Sequence, residues 1–202
     1  MSVNIVVLAS GNGSNLQAII DAVSQGRLGC VISAVISDNK NAYALSRAKN
    51  AGVEAVVVDP EKFGDKQSFD DELAGVVRSK KAGLIVLAGY MRLLSSEFVS
   101  EFAGRIMNIH PALLPSFKGT HGIKDAFDYG VKVTGVTVHF VDEKMDHGPI
   151  ILQEPVRIEE SDTPESLEER IHAAEHRLYT EAIRLFCDGK LKMDGRKVVR
   201  KE

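Results

Sequence analysis

A basic excess is the first thing missing. The 202 residues carry 25 Lys and Arg against 28 Asp and Glu, a formal net charge of -3. Nothing in that total would neutralise a phosphate backbone, which excludes a nucleic-acid-coating protein and leaves room only for a local basic pocket. Cysteine is scarce: only Cys30 and Cys187 occur, without metal-type spacing. Such usage fits a reducing compartment and excludes a disulfide framework. Long apolar runs are missing too. The first, residues 3–9, is too short for a membrane span, or for a signal peptide's apolar region with a cleavage site. The expectation is a cytoplasmic protein with no membrane partner. No internal repeat, low-complexity tract or linker-like composition divides the chain. Its length suffices for one α/β domain with a sizeable core.

What is present starts with Arg105 to Pro115, R-I-M-N-I-H-P-A-L-L-P. A β-branched and apolar run ends in Asn108-Ile109-His110, and Pro111 stops it. In an extended chain, residues two apart point the same way. Asn108 and His110 therefore present an amide and an imidazole side by side at a strand end. Pro111 offers no N–H to a sheet and biases His110 away from helix. The bland alternative is two capping residues.

Residues 3–9 form a continuous apolar run, which suits a strand buried on both faces. It leads into Ser10-Gly11-Asn12-Gly13-Ser14-Asn15, after which Leu16, Ile19, Ile20 and Val23 recur at helical spacing. Strand, glycine turn, helix: this order aims backbone N–H groups and the positive end of a helix at an anion. A dinucleotide fingerprint wants a third glycine where Leu16 stands, so the match is incomplete even though Asp38 follows the second strand. No Gly-Lys-Ser/Thr follows, which excludes a Walker loop. A phosphate monoester suits the short turn better; the other reading is a tight turn with no ligand.

The alternation continues. Strands are expected at 31–36, 53–58, 84–88 and 106–109, and helices at 42–51, 66–80 and from Ser95 or Ser96 to before Gly104. This order implies a parallel sheet covered on both faces, whose ligands sit beyond the carboxyl ends of the strands. Gly11–Asn15, Met91–Leu94 and Asn108–His110 all fall at such ends. After a loop over 111–122 come a short helix over 123–129, strands at 133–141 and 150–158 with an antiparallel reading, and a polar loop between them. Thr163 and Pro164 open a long helix, with Leu167, Ile171, Ala174, Leu178 and Ala182 as its buried stripe. Asp194-Gly195 suggests a closing hairpin. The fold class is α/β: a single-domain, Rossmann-like three-layer fold with N-terminal parallel strands and a mixed or antiparallel C-terminal part.

His110 is the leading general acid or base, because an imidazole titrates near neutrality. A carboxylate would orient it, and Asp142, Glu143 and Asp146 are equally placed to do so. His172-Ala173-Ala174-Glu175-His176 matches the H-x-x-E-H pattern of inverted zinc proteases, but no third ligand motif follows. His139, on a strand face, reads as structural, while His121 and His147 lie in loops with no assigned role.

Several motifs, taken together, resemble the phosphoribosylglycinamide formyltransferase family. They are Ser10-Gly11-Asn12-Gly13-Ser14-Asn15-Leu16-Gln17, Leu87-Ala88-Gly89-Tyr90-Met91-Arg92, Asn108-Ile109-His110-Pro111-Ala112-Leu113-Leu114-Pro115, and Thr134-Gly135 through Asp146-x-Gly148-Pro149-Ile150. The Asn-x-His-Pro run and distant Asp belong to folate formyltransferases and deformylases at large. The glycine loop and the length narrow the resemblance, since related enzymes with an extra terminal domain would need a longer chain. The resemblance implies a formyltransferase fold spanning residues 1–202 as one domain, with 1–104 binding phosphate and 105–202 catalytic and folate-binding. It implies a formyl donor, 10-formyltetrahydrofolate, no metal, and glycinamide ribonucleotide as acceptor in purine biosynthesis. A homodimer is compatible with it.

Carried over, Asn108, His110 and Asp146 form the catalytic trio. Gly13, Ser14, Asn15, His172, Ala173, Ala174 and Glu175 hold the ribonucleotide, with Glu175 accepting from ribose hydroxyls. Lys66, Met91, Arg92, Leu93, Leu94, Asn108, Asp142, Glu143, Lys144, Met145 and Asp146 border the formyl-folate. Lys66 stands where the family often has arginine, keeping charge but losing the bidentate fork. Ala112 replaces a usual serine, and Thr120-His121-Gly122-Ile123 departs from commoner versions of the loop. Three rival classes remain: a phosphosugar-binding module without chemistry, a zinc protease and an NAD-dependent dehydrogenase.

Overall fold

Ile5, Val6, Val7, Leu8 and Ala9 are completely shielded from solvent. A strand covered on both faces buries successive side chains in this way. In the computed structural model, which describes residues 2–201, this run supplies β1, Val3–Leu8. The chain forms two units, Met1–Met107 and Asn108–Glu202.

In the first unit β1 is followed by α1 (Ser14–Ser24), β2 (Cys30–Ser37), α2 (Tyr43–Asn50), β3 (Ala55–Val57), α3 (Lys66–Ser79), β4 (Leu84–Leu87), α4 (Ser96–Glu101) and the head of β5 (Ile106–His110). The strand order is β3-β2-β1-β4. All of these pairs are parallel, with Leu8 opposite Ile36 on one side and Leu87 on the other. Parallel neighbours need crossovers, which the helices provide. The order reverses at β1, whose neighbours β2 and β4 carry the chain away in opposite directions. A crevice opens beyond the carboxyl ends of strands at such a point.

Local chemistry sets the helix limits. Asp65 accepts from the Ser68 N–H at 2.7 Å and starts α3, whose buried face carries Phe69, Leu73 and Val77. Asp70 also lies on that face, 3 % exposed. Its Oδ2 accepts from the Ser95 N–H at 2.8 Å, and Ser95 in turn caps α4 through the Phe98 N–H at 3.2 Å. This buried carboxylate is therefore satisfied, as burial requires.

In this unit two details differ from the sequence expectation. The third strand is only Ala55–Val57; as the edge of the sheet it has one neighbour, so less of it is held in a ladder. A short 3₁₀ turn, Pro60–Lys62, follows because the Asp59 carboxylate accepts from the Glu61 N–H at 3.1 Å.

The second unit holds the tail of β5, then α5 (Gly122–Tyr129), β6 (Val133–Phe140), β7 (Ile150–Arg157), α6 (Pro164–Cys187), β8 (Leu191–Asp194) and β9 (Lys197–Arg200). β6 lies between β5 and β7. The β6–β7 pair is antiparallel, with Thr137 opposite Gln153, and β8 and β9 form a separate hairpin. Thr163 starts α6 with a reciprocal capping box: Ser166 N–H to Thr163 Oγ1 at 3.3 Å and Thr163 N–H to Ser166 Oγ at 3.0 Å. The helix buries Leu167, Ile171, Ala174, Tyr179, Ala182 and Ile183. Leu178, expected in that stripe, is only half-buried, and Tyr179 takes the core position. The architecture is mixed α/β with a mostly parallel sheet, as the alternation of elements required.

Candidate active site

The turn after β1 is shaped by backbone demands that few sequences meet. Gly13 has φ +76°, a left-handed conformation. A Cβ there would lie 2.9 Å from Ala44 Cβ on α2, so both the torsion and the space require glycine. α1 begins at Ser14 with no side-chain cap and no acidic residue in its first turn. Its positive end is therefore uncompensated. Arg47 on α2 clasps the turn: Nε donates to the Asn12 carbonyl at 2.9 Å, Nη2 to Asn12 Oδ1 at 3.0 Å and Nη1 to Gln17 Oε1 at 3.1 Å. Tyr43 lies against the guanidinium, 4.7 Å from ring centre to Cζ. Sequence reasoning missed Arg47. A helical arginine carries no signal of a partner 35 residues earlier in the chain.

The segment beyond β4 is stitched to the same turn. The Ser10 N–H donates to the Gly89 carbonyl at 3.0 Å, and the Met91 N–H donates to Ser10 Oγ at 2.9 Å. The start of the glycine turn and the segment after β4 are thus tied together at Ser10. Met91 and Leu93 are each 65 % exposed, an apolar offer that water does not reward. Arg92 is turned aside, its Cζ 4.9 Å from the Phe69 ring centre. Lys66 is exposed at the first position of α3.

Strand parity on β5 and the loop between β6 and β7 bring the proposed trio together in the second unit. His110 is 3 % exposed. Its Nε2 lies 2.8 Å from the Phe117 carbonyl; a carbonyl can only accept, so that nitrogen carries a proton. Its Nδ1 faces Asp146 Oδ2 at 3.5 Å. The same oxygen accepts from the Gly119 N–H at 2.8 Å, which fixes the carboxylate. Of the three acidic residues that sequence could not separate, Asp146 is the one against His110.

His139, read from sequence as structural, belongs to this cluster. Its Nδ1–H donates to the Phe140 carbonyl at 2.8 Å, so the neutral ring leaves Nε2 unprotonated. That nitrogen accepts from Asn108 Nδ2 at 3.2 Å, and Asp146 Oδ1 lies 3.8 Å from it. Burial pushes the His139 imidazole below its ordinary value, outweighing the Phe140 bond and the nearby Asp146 charge, which pull the other way. A neutral His139 fixes which way the Asn108 amide faces. β6 runs beside β5, but lateral register is not written in sequence spacing.

The remaining predicted residues fall into two groups. Asp142 makes a loop turn with the Lys144 N–H at 3.0 Å and holds His147 Nδ1 at 2.7 Å. Glu143, Lys144 and Met145 are exposed. On α6, His172 Nδ1 donates to Glu175 Oε2 at 2.8 Å, and its Nε2 faces Glu168 Oε1 at 3.4 Å. The Glu175 bond raises the His172 pKa against partial burial, with Glu168 assisting. Both nitrogens of His172 are thus turned to carboxylates. Ala173 is exposed, while Ala174 and Glu175 are buried. Among the described residues, no three His, Cys, Asp or Glu side chains gather as metal ligands.

The Formyl transferase family matches residues 3–183. The chain is 42 % identical over 190 residues to the phosphoribosylglycinamide formyltransferase of Escherichia coli strain K12, covering 94 % of this chain and 90 % of that one. It is also 42 % identical to the trifunctional purine biosynthetic protein adenosine-3 of Gallus gallus, over 93 % of this chain and 19 % of that protein. The crystal structure of glycinamide ribonucleotide transformylase 1 from Symbiobacterium toebii superposes with a TM-score of 0.97 at 47 % identity, covering 100 % of this chain and 95 % of that one. With the trio assembled and the match running through nearly all of its length, the chain belongs to the formyl transferase family, as a phosphoribosylglycinamide formyltransferase.

Proposed function

We propose that the protein transfers the formyl group of 10-formyltetrahydrofolate to the amine of glycinamide ribonucleotide, in de novo purine biosynthesis. The observation that carries this reading is the Asn108–His139 and His110–Asp146 cluster in a chain of this family. The two units act as one formyltransferase domain. Gly13, Ser14 and Asn15 take the phosphate, while His172 to Glu175 take the ribose. Met91 to Leu94, Asp142 to Asp146 and Lys66 border the folate. The protein works in the cytoplasm on small molecules; no helix among the described residues is long and apolar enough to cross a membrane.

The chemistry follows from the side chains. The neutral amine attacks the formyl carbon, and the carbonyl oxygen gains negative charge. One Asn108 N–H is committed to His139; the other donates to that oxygen. Losing such a donor costs about 3–4 kcal/mol of transition-state stabilisation. The His110 Nε2–H, which bonds the Phe117 carbonyl, is the second donor once the formyl oxygen displaces that carbonyl. Asp146 holds the Nδ1 side of the same ring and receives the amine proton. The carbon–nitrogen bond to the folate then breaks, and one proton reaches the departing nitrogen. The balance is one N–H lost by the amine and one gained by tetrahydrofolate.

A product analysis tests this reading. Wild-type protein given formyl-folate should release tetrahydrofolate only when glycinamide ribonucleotide is present, with the label of the formyl carbon recovered in the ribonucleotide. Label recovered as free formate, independent of the ribonucleotide, would identify a deformylase instead.

A further inference from the structure

The loop that bears Asp146 is held from an unexpected quarter. Asp146 has φ +48°, one of three described non-glycine residues in the left-handed region. A side chain is costly to hold there, and such a residue persists only where its surroundings over-determine it. On the chain's entry side, Asp142 accepts from the Lys144 N–H and from His147 Nδ1. On its exit side, a Cβ at Gly148 would collide with the Phe140 carbonyl, so the backbone is locked by close approach. Between these anchors sits His147, and its carbonyl accepts from Arg196 Nη2 at 2.6 Å. Arg196 Nη1 lies 3.4 and 3.3 Å from the His147 ring nitrogens.

Arg196 belongs to the turn of the β8–β9 hairpin, 49 residues further along the chain. It is exposed, and β9 packs against β7. The guanidinium therefore makes no contribution to a core. Its Nη2 donates to the His147 carbonyl while Nη1 lies beside the ring, whose Nδ1–H is already given to Asp142; a lysine has no such rigid fork to hold the backbone and flank the ring at once. It also adds to the charge around Asp142. Burial there pushes the carboxyl up, but the His147 bond, the Lys144 N–H and the charges of His147 and Arg196 outweigh it and hold the carboxyl below its ordinary range.

We propose that Arg196 is a positioning residue for formyl transfer: the hairpin turn clamps His147 and so fixes the strained backbone that aims Asp146 at His110. This rests on the reading of Asp146 as part of the catalytic trio. The clamp sits on the loop assigned to the folate and touches nothing assigned to the ribonucleotide. Its loss should therefore divide the kinetic constants unevenly.

The experiment compares full-length wild type, Arg196→Ala, Arg196→Lys and Asp146→Asn in steady-state formyl transfer, with thermal melts of each. In Arg196→Ala, kcat should fall about 10- to 100-fold, as expected for a slightly displaced reacting group. KM for formyl-folate should rise, while KM for the ribonucleotide and Tm stay at wild-type values. Added guanidinium ion should restore part of the lost rate in Arg196→Ala and none in Asp146→Asn. Wild-type kcat in Arg196→Ala, beside a crippled Asp146→Asn, overturns the clamp and leaves the trio standing. A fully active Asp146→Asn removes the trio itself. If Arg196→Ala loses its melting transition, Arg196→Lys decides: a depressed kcat at unchanged Tm supports the clamp, and a wild-type kcat overturns it.

Discussion

Asp146 is constrained in three ways at once. It bonds the Gly119 N–H, faces His110, and adopts a backbone conformation that side chains avoid. Replacing it with asparagine removes the charge but keeps the shape. We expect kcat to fall about 10²- to 10⁴-fold, the range general acid–base groups supply. A ribonucleotide-induced rise in Tm should survive, because it reports binding and not chemistry. His139 sets a second expectation. Its folded pKa lies below the unfolded value of 6.5, so the unfolded state binds protons first as pH falls. Its contribution is complete above 6.5 and is lost as pH drops toward the folded pKa. His176, also pushed down by burial, acts in the same direction; His172, raised by Glu175, acts oppositely. Thermal melts from mildly alkaline to mildly acidic pH should therefore show His139→Gln losing less stability on acidification than wild type. An unchanged acid slope would remove His139 as the buried neutral base.

Among the elements, the β1–α1 turn and α2 behave as one device. A Cβ at Gly13 would run into Ala44, and Arg47 grips Asn12 and Gln17. Gly13→Val should raise KM for the ribonucleotide far more than KM for folate. Arg47→Ala should do the same more mildly, because the turn loses its clasp but keeps its glycine. Equal rises in both constants would indicate general damage. Helix α6 offers a separate check: Thr163→Ala removes half of a capping box and should cost about 0.5–2 kcal/mol in denaturant unfolding with kcat intact. These elements are legible in the order of residues alone. The period of apolar residues marks α1, α3 and α6, and the Thr163-Pro164 pair marks the start of α6 within a residue. Residues that act across elements are not legible in that way. Arg47 and His139 look like an ordinary helix-face cation and an ordinary strand residue, because contacts between neighbouring strands and helices depend on register and crossing. The same reason keeps Asp142, Glu143 and Asp146 indistinguishable in sequence, since only the turn geometry directs one of them toward His110.

At the scale of the molecule, a parallel α/β unit and a mixed unit supply different chemistry. The first presents an uncompensated helix end and an apolar edge at Met91 and Leu93. The second presents the amide, imidazole and carboxylate. Alternation of strands and helices makes the fold class readable. The identity of the reaction comes from the side chains at the strand ends and from the family match, because a fold of this kind supports many chemistries. The most direct measurement follows folate product spectroscopically with glycinamide ribonucleotide, 10-formyltetrahydrofolate and a chelator present, for wild type and for Asp146→Asn at matched folded concentration. Steady turnover by the wild type, with a loss of at least about a hundredfold in the variant, is the predicted result. Equal rates in both proteins, or a wild type that binds both substrates and transfers nothing, would contradict the account.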